Sequence, residues 1–530
     1  MKNSTLRHLV LLLVCFCCCQ LWCFGQQPQP PKVGDVVFST DFEENDVKAG
    51  WAGTVQLDQG YQSEHALVIS NPVGKENSSV SVARDLPFAQ LRGCKIVFSA
   101  MVKGENVSKK PQNWNGVKYM VPMEAGATKL WPQGDIPVGT FDWRPVAFMV
   151  QVPDTATSIK LLLGLELVSG KVWFDNVKVT VRHLAVQDNP RLVQKTLYKG
   201  HSLPRLRGTM IAPTAMSEDD VRVLAKDWNA NVVRWQLVGW RPQGATLDLN
   251  AYEAWFNDQL SKFDAALPFC KKYGLMVVLD LHCAPGGSAE SGKNLFNDAS
   301  CQQKFIEIWQ RMAKKYKNEP TIWGYDLFNE PNEKSVSFDL PDWQELAERT
   351  AKAIRAIDPK RALIIEPAYG GGPEGLTSFQ PIDVPNVVYS VHMYTPGQFT
   401  HQGVTSVMGN TWVKYAYPCD IGGVYWNKAQ LEKALQPVID FQKKYNVHIY
   451  IGEFSAIRWA PDNSAARYLS DVIDIFEAHG WDWTYHAYRE WDGWSVEHGS
   501  DPNDHQRSAT PTDRQLLLQK WFAQNQKPKW

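Results

Sequence analysis

Two glutamates stand where a side chain could do chemistry. Glu330 lies in Asn329-Glu330-Pro331, directly after the apolar run Ile322–Phe328, and Glu453 follows Ile449–Gly452. A carboxylate at the end of an apolar strand is costly to bury unless it is paired or hydrogen-bonded. Two of them, on opposite sides of one cleft, suit cleavage of a glycosidic bond. One carboxyl group protonates the leaving oxygen while the other attacks the anomeric carbon or activates water. Their surroundings must then hold the two pKa values apart. Arg234, His282, Asn329, His392 and Tyr394 also fall at strand ends and could serve the same cleft. Glu366, before Pro367, is a third carboxylate and reads as a structural hydrogen-bond partner. Cys283 adjoins His282, but neighbouring strand residues point to opposite faces, so a Cys-His nucleophile pair is not expected. Tyr369–Gly375 is rich in glycine yet lacks the Gly-Lys-Ser/Thr of a phosphate cradle.

The elements that must position these groups follow from the hydrophobic pattern. From Arg207 onward, apolar runs alternate with helical patterns: Arg207–Ile211, Val232–Val238, Leu275–His282, Ile322–Phe328, Ala362–Glu366, Val387–Met393, Ile449–Gly452 and Trp483–Tyr488. Ser217 with Asp220 forms a helix-starting box, and Gly274 and Gly480 are helix stops. Eight such units predict an α/β fold, a (β/α)8 TIM barrel over residues 207–525, whose functional groups gather at the C-terminal ends of the strands. A doubly wound open sheet is disfavoured, because no glycine-rich phosphate loop follows the first strand. One unit is hard to place: Tyr369–Ile382, rich in Gly and Pro, offers no clear fifth helix.

The segments VVLDLHCAPGG (277–287), WGYDLFNEP (323–331), VVYSVHMY (387–394) and YIGEFS (450–455) resemble glycoside hydrolase family 5, the cellulase family of the large retaining clan. The resemblance implies Glu330 as acid/base and Glu453 as nucleophile. It also implies Arg234 as electrostatic support for the nucleophile, His282 and His392 as lining of the subsite before the cut, Asn329 as the 2-hydroxyl ligand and Tyr394 as the group orienting the nucleophile. A retaining mechanism places the carboxyl groups about 5–5.5 Å apart. The substrate expected is a β-linked glucan, cut by an endo-β-1,4-glucanase. The alternatives are a β-mannanase, an exo-β-glucosidase-type enzyme, or a non-catalytic glycan-binding protein. Catalysis is expected to need no cofactor. The family usually sets a tryptophan platform at the end of strand eight. Here His486 stands near that position, and Trp491, then Trp494, are the substitutes expected from WDWTYHAYREWDGW (481–494).

Before the barrel, residues 33–182 show short alternating runs such as Ala66–Ile69, Lys95–Val102 and Val172–Val181, the pattern of an all-β sandwich. FSTDFEEN (38–45) and SGKVWFDNVKVTV (169–181) resemble the jelly rolls of carbohydrate-binding modules. Such folds often hold calcium, and Asp41, Glu43 and Asp175 offer the hard oxygen ligands for it. Trp114 and Trp131 are candidates for a sugar-binding face, and Trp143 for packing. Residues 183–206 read as a linker.

Residues 1–25 read as a signal peptide, with Lys2 and Arg7 before the apolar run Leu9–Phe16, and 26–32 as a Pro/Gln linker. The mature protein is therefore expected to be secreted, periplasmic or on the cell surface, with no membrane attachment, as a monomer. Lys+Arg 55 against Asp+Glu 56 gives a net charge of −1, which removes the electrostatic case for a nucleic-acid partner. Beyond the signal, Cys94, Cys270, Cys283, Cys301 and Cys419 have spacings unlike a zinc cluster, with room for one bridge in the C-terminal half.

Overall fold

A computed structural model describes the chain except residues 1–29, 44–48, 127, 187–188, 214–216, 289–290, 334–335, 338 and 405–412. The expected signal peptide lies outside the described residues. None of the described helices is long and apolar enough to cross a membrane. The chain divides into two compact units, the main boundary falling between Ala185 and Val186.

The first unit is built from two six-stranded sheets. Gly170–His183 is central to one of them, pairing antiparallel with Val36–Thr40, Ala66–Asn71 and Lys95–Val107. Ala156–Glu166 is central to the other, pairing with Ser79–Asp85, Gly116–Met120 and Met123–Ala125. Tyr119 meets Phe98 and Phe174 edge-on between the sheets, with ring centroids 6.3 Å apart in each pair. The three carboxylates expected to bind calcium do not gather into one ligand set among the described residues, and Glu43 groups instead with Glu64 and His65. Asp41 and Asp175 belong to no group of metal-ligating side chains among the described residues. Buried Asp175 instead accepts from the Tyr61 N–H at 2.7 Å, the Ser63 hydroxyl at 2.8 Å and the Asn176 N–H at 2.6 Å. Glu43 accepts from the His65 N–H, and Asp41 from the Glu43 N–H. These carboxylates tie turns to strands. Trp114 and Trp131 are each 59% exposed, while Trp143 is partly covered, 5.9 Å from the Tyr61 ring.

The second unit contains a closed barrel of eight parallel strands. They are β1 Arg207–Ile211, β2 Val232–Gln236, β3 Met276–Asp280, β4 Ile322–Asp326, β5 Ala362–Ile365, β6 Val387–Met393, β7 Ile449–Phe454 and β8 Asp482–Tyr485. Strand alternation sorts the side chains. In β2, Val232 packs into the inner cluster with Val278 and Tyr450, whereas Val233 and Trp235 join the outer layer with Phe263. Arg234 and Gln236 therefore share the inner face with Val232. The Ser217–Asp220 capping box forms as expected, and Gly274 and Gly480 end their helices in the left-handed region at φ 73° and 82°. The unplaced fifth unit is explained by a 3-10 turn, Pro373–Thr377, that stands after β5. All five cysteines beyond the signal are free thiols, so no bridge forms in the C-terminal half.

The end of the segment expected as a linker, residues 198–206, instead forms the barrel floor. Leu203 and Leu206 enter the inner cluster with Met276, Trp323 and Ile364. Trp323 donates its indole N–H to the Lys199 carbonyl at 2.9 Å, and the Tyr198 hydroxyl donates to the Lys360 carbonyl at 3.1 Å. Beside this plug, Asp482 at the start of β8 is flanked by the imidazoles of His201 at 2.7 Å and His448 at 2.6 Å. Burial opposes ionisation of Asp482, but His448 and His201 outweigh it and hold the carboxyl well below its usual range.

Candidate active site

The open end of the barrel collects the polar groups. Arg234, fully buried, is the hub: it contacts Asp326 at 2.8 Å, Glu453 at 2.7 Å, Glu366 at 3.0 Å and Asp280 at 3.2 Å. Its guanidinium also donates to the Asn329 side-chain oxygen at 3.1 Å. Four carboxyl groups around one cation cannot all ionise cheaply. Burial pushes Asp326 upward, and Glu366 and Asp280 add to the shift against the pull of Arg234. Burial likewise opposes the charge on Glu453, but His392, His486, Arg234 and His282 more than offset it, leaving Glu453 below the usual carboxylate range.

Glu330 and Glu453 approach each other across His392. The His392 Nδ1 lies 2.9 Å from Glu330 Oε1 and 3.7 Å from Glu453 Oε2, and its Nε2 is 3.1 Å from Glu366. One oxygen of each glutamate lies within 4.8 Å of the other. This closest approach lies well inside the roughly 6.5–9.5 Å between carboxyl groups that accommodates an attacking water. Glu453 is almost wholly covered, whereas the Glu330 side chain is 41% exposed. Glu330 takes a left-handed backbone, φ 47°, and its N–H donates to Glu366 Oε2 at 2.9 Å. Such a conformation costs a non-glycine residue about 1 kcal/mol or more and recurs at working sites. Pro331 then takes the chain off the strand. Beside Glu453, Gly452 is needed for close approach: a Cβ there would stand 2.8 Å from the Ser390 hydroxyl and 3.0 Å from His392 Nε2.

Tyr394 donates its hydroxyl to Glu453 Oε2 at 2.9 Å, and burial together with Glu453 raises the phenol pKa far enough to keep that proton. His282 is anchored by Asp280 at 2.9 Å. Arg234, His282, Asn329, Glu330, His392, Tyr394 and Glu453 thus form one constellation. Trp491 does not join it. Its ring lies 5.4 Å from Trp494, and it is Trp494 that stacks on His486, 6.0 Å away at 30°, and sits 5.9 Å from Tyr394. His486 continues β8 by donating its N–H to the Phe454 carbonyl, so the imidazole occupies the wall and the returning chain brings Trp494 behind it.

Four participants escaped the sequence reading. Asp280 and Asp326 were detectable, because each lies two residues before the end of its expected apolar run, the step that keeps a side chain on one face, and each ends its strand. Gln236 and Glu490 are joined by a 2.7 Å hydrogen bond, a pairing that depends on β2 meeting the loop after β8. Local spacing carries no signal for it.

Residues 194–492 match the family described as Cellulase (glycosyl hydrolase family 5). Endoglucanase C of Acetivibrio thermocellus is 33% identical over 255 residues, covering 43% of this chain and 73% of that protein. Cellodextrinase A of Ruminococcus flavefaciens is 24% identical over 271 residues, covering 50% of this chain and 76% of that protein. Among solved structures, endoglucanase Cel5A of Thermotoga maritima aligns with a TM-score of 0.46 at 25% identity, over 59% of this chain and 96% of its own.

Proposed function

The chain belongs to the cellulase family, glycosyl hydrolase family 5, and on that premise we propose that it is a retaining endo-β-1,4-glucanase with Glu453 as nucleophile and Glu330 as acid/base. The observation that supports a retaining displacement is the approach of the two carboxylates within 4.8 Å around His392, and the roles follow from burial, Glu453 being 5% exposed and Glu330 41%. Glu453 is buried, ionised and aligned by Arg234 and Tyr394, as an attacking carboxylate must be. It displaces the leaving group from the anomeric carbon and forms a glycosyl ester. Glu330, the more exposed of the two, gives its proton to the departing oxygen and later takes one from the water that cleaves the ester. Asn329, whose side-chain oxygen accepts from Arg234, binds the 2-hydroxyl in this reading, and His282, held by Asp280, lines the same sugar with His392. The family's chemistry needs no cofactor.

Export from the cell fits the charged and apolar start of the chain, and a carbohydrate-binding role fits the first unit with its exposed Trp131. The decisive experiment is a reducing-sugar assay on soluble cellulose derivatives, mixed-linkage glucan, mannan and xylan, with proton NMR of the first product formed. Release of the β-anomer from a β-glucan is expected; initial α-anomer would overturn the nucleophile role. Glu453→Gln is expected to lose at least about 10⁴-fold in kcat while circular dichroism shows the fold retained.

A further inference from the structure

The wall beside Glu453 is polar where an aromatic platform was expected, and its geometry is specific. His486 turns Nδ1 inward, 2.5 Å from the Tyr394 hydroxyl and 3.4 Å from Glu453 Oε2. Its Nε2 points the other way and stops 3.6 Å from Glu490 Oε2. That is too long for a hydrogen bond. Gln236 fixes Glu490 by donating to the same Oε2 at 2.7 Å, while Oε1 has no protein partner among the described residues. The Glu490 side chain is 27% exposed. Glu490 also lines a cavity of about 690 Å³ whose walls include Asp220, Trp491, Asp492 and His498. This volume is within the range of roughly 300–1,000 Å³ typical of small-molecule pockets. Glu490 is thus the residue shared by the catalytic wall and the cavity, and it holds an open acceptor, Oε1, beside an imidazole nitrogen whose ion-pair neighbour Oε2 stands 3.6 Å away.

We infer that Glu490 and His486 together read a sugar hydroxyl, which accepts from His486 Nε2 and donates to Glu490, making Glu490 a specificity-determining residue of the catalytic end of the barrel. The ligand class is a β-glucoside with that hydroxyl free and in one configuration. An aromatic face tolerates changes around a ring, because stacking has little directionality. A fixed carboxylate does not, because a sugar lacking the donor leaves a desolvated charge without its partner. Trp491, 39% exposed on the cavity wall, supplies a flat surface for the neighbouring ring.

The inference rests on the glycosidase reading above, and the test separates the two. kcat/KM is measured on 4-nitrophenyl β-cellobioside and on analogues with one hydroxyl deleted at a time, for the wild type and for Glu490→Gln, Glu490→Ala and His486→Trp. In the wild type one deletion is expected to cost about 10- to 150-fold. Glu490→Ala is expected to lose a similar factor on the parent and nothing further on that one analogue. His486→Trp is expected to flatten the whole series. Additive losses, or Glu490 variants that match the wild type on every substrate, would overturn the inference while leaving the glycosidase assignment standing. A wild type inert toward every β-glucoside, parent included, would overturn both. Glu490→Gln preserves shape, and its thermal midpoint checks that the fold is intact.

Discussion

His392 stands among three carboxylates, Glu330, Glu366 and Glu453, and its charge is what lets them share so small a space. Burial works against the imidazolium, but Glu366 and Glu453 outweigh it and raise its pKa well above the ordinary value. A histidine raised on folding adds stability that is fully present below its unfolded pKa, about 6.5. That stability is lost as pH rises through the folded value. The alkaline limb of both activity and thermal stability is therefore expected above the usual histidine range. Glu366→Gln removes the strongest of these anionic neighbours and should move the limb toward neutrality by roughly one pH unit. A kcat/KM profile with an unmoved alkaline limb would refute this account of His392. Glu366 also shows how far a sequence can be read. Its structural role was legible from the strand end and Pro367, but its contacts with Arg234 on β2, His392 on β6 and the Glu330 backbone beyond β4 come from three other units of the barrel.

At the scale of elements, the strands were the legible part. β6 spans the residues expected, and β2 to β4 begin where their apolar runs begin or one residue later. Apolar strands advertise themselves because the barrel buries both of their faces. The loops were not legible, since their form depends on partners far along the chain. The turn after β5 brings Gly371, at φ 69°, over Glu366, so close that a Cβ would lie 2.5 Å from its carboxylate. Its carbonyl receives the His392 N–H at 2.9 Å. Arg234 links β2 to β3, β4 and β7 through buried ion pairs. Arg234→Met should cost about 3–5 kcal/mol, because the carboxylates remain buried without their cation. Urea unfolding monitored by tryptophan fluorescence measures it. A loss below about 1 kcal/mol would mean that the acids are neutral without Arg234.

At the scale of the whole molecule, two units of different architecture lie on one chain, and hydrophobic patterning separated a β-rich first part from an alternating second part. The first unit's binding role can be checked on the full-length protein with the nucleophile silenced. Glu453→Gln should co-sediment with insoluble cellulose, and adding Trp131→Ala should weaken the association several-fold. Equal retention with and without Trp131 would remove that residue from any binding face. What composition could not reveal was the floor of the barrel, because Leu203 and Leu206 are too few to form a pattern and acquire meaning only against Trp323 and Met276.

That floor bears on how such an enzyme can be rearranged. A strand-based reading would treat β1 as the start of a portable module, to be joined to other domains at residue 207. The stopper of the barrel is threaded from the chain before that point, and it is clasped to β8 through Asp482. A recombination joint at β1 would therefore hand on a cylinder open at its base, with an aspartate stripped of one histidine and an inner apolar layer exposed to water. The heritable unit begins upstream of Tyr198, and domain exchange in this architecture should respect that seam rather than the first strand.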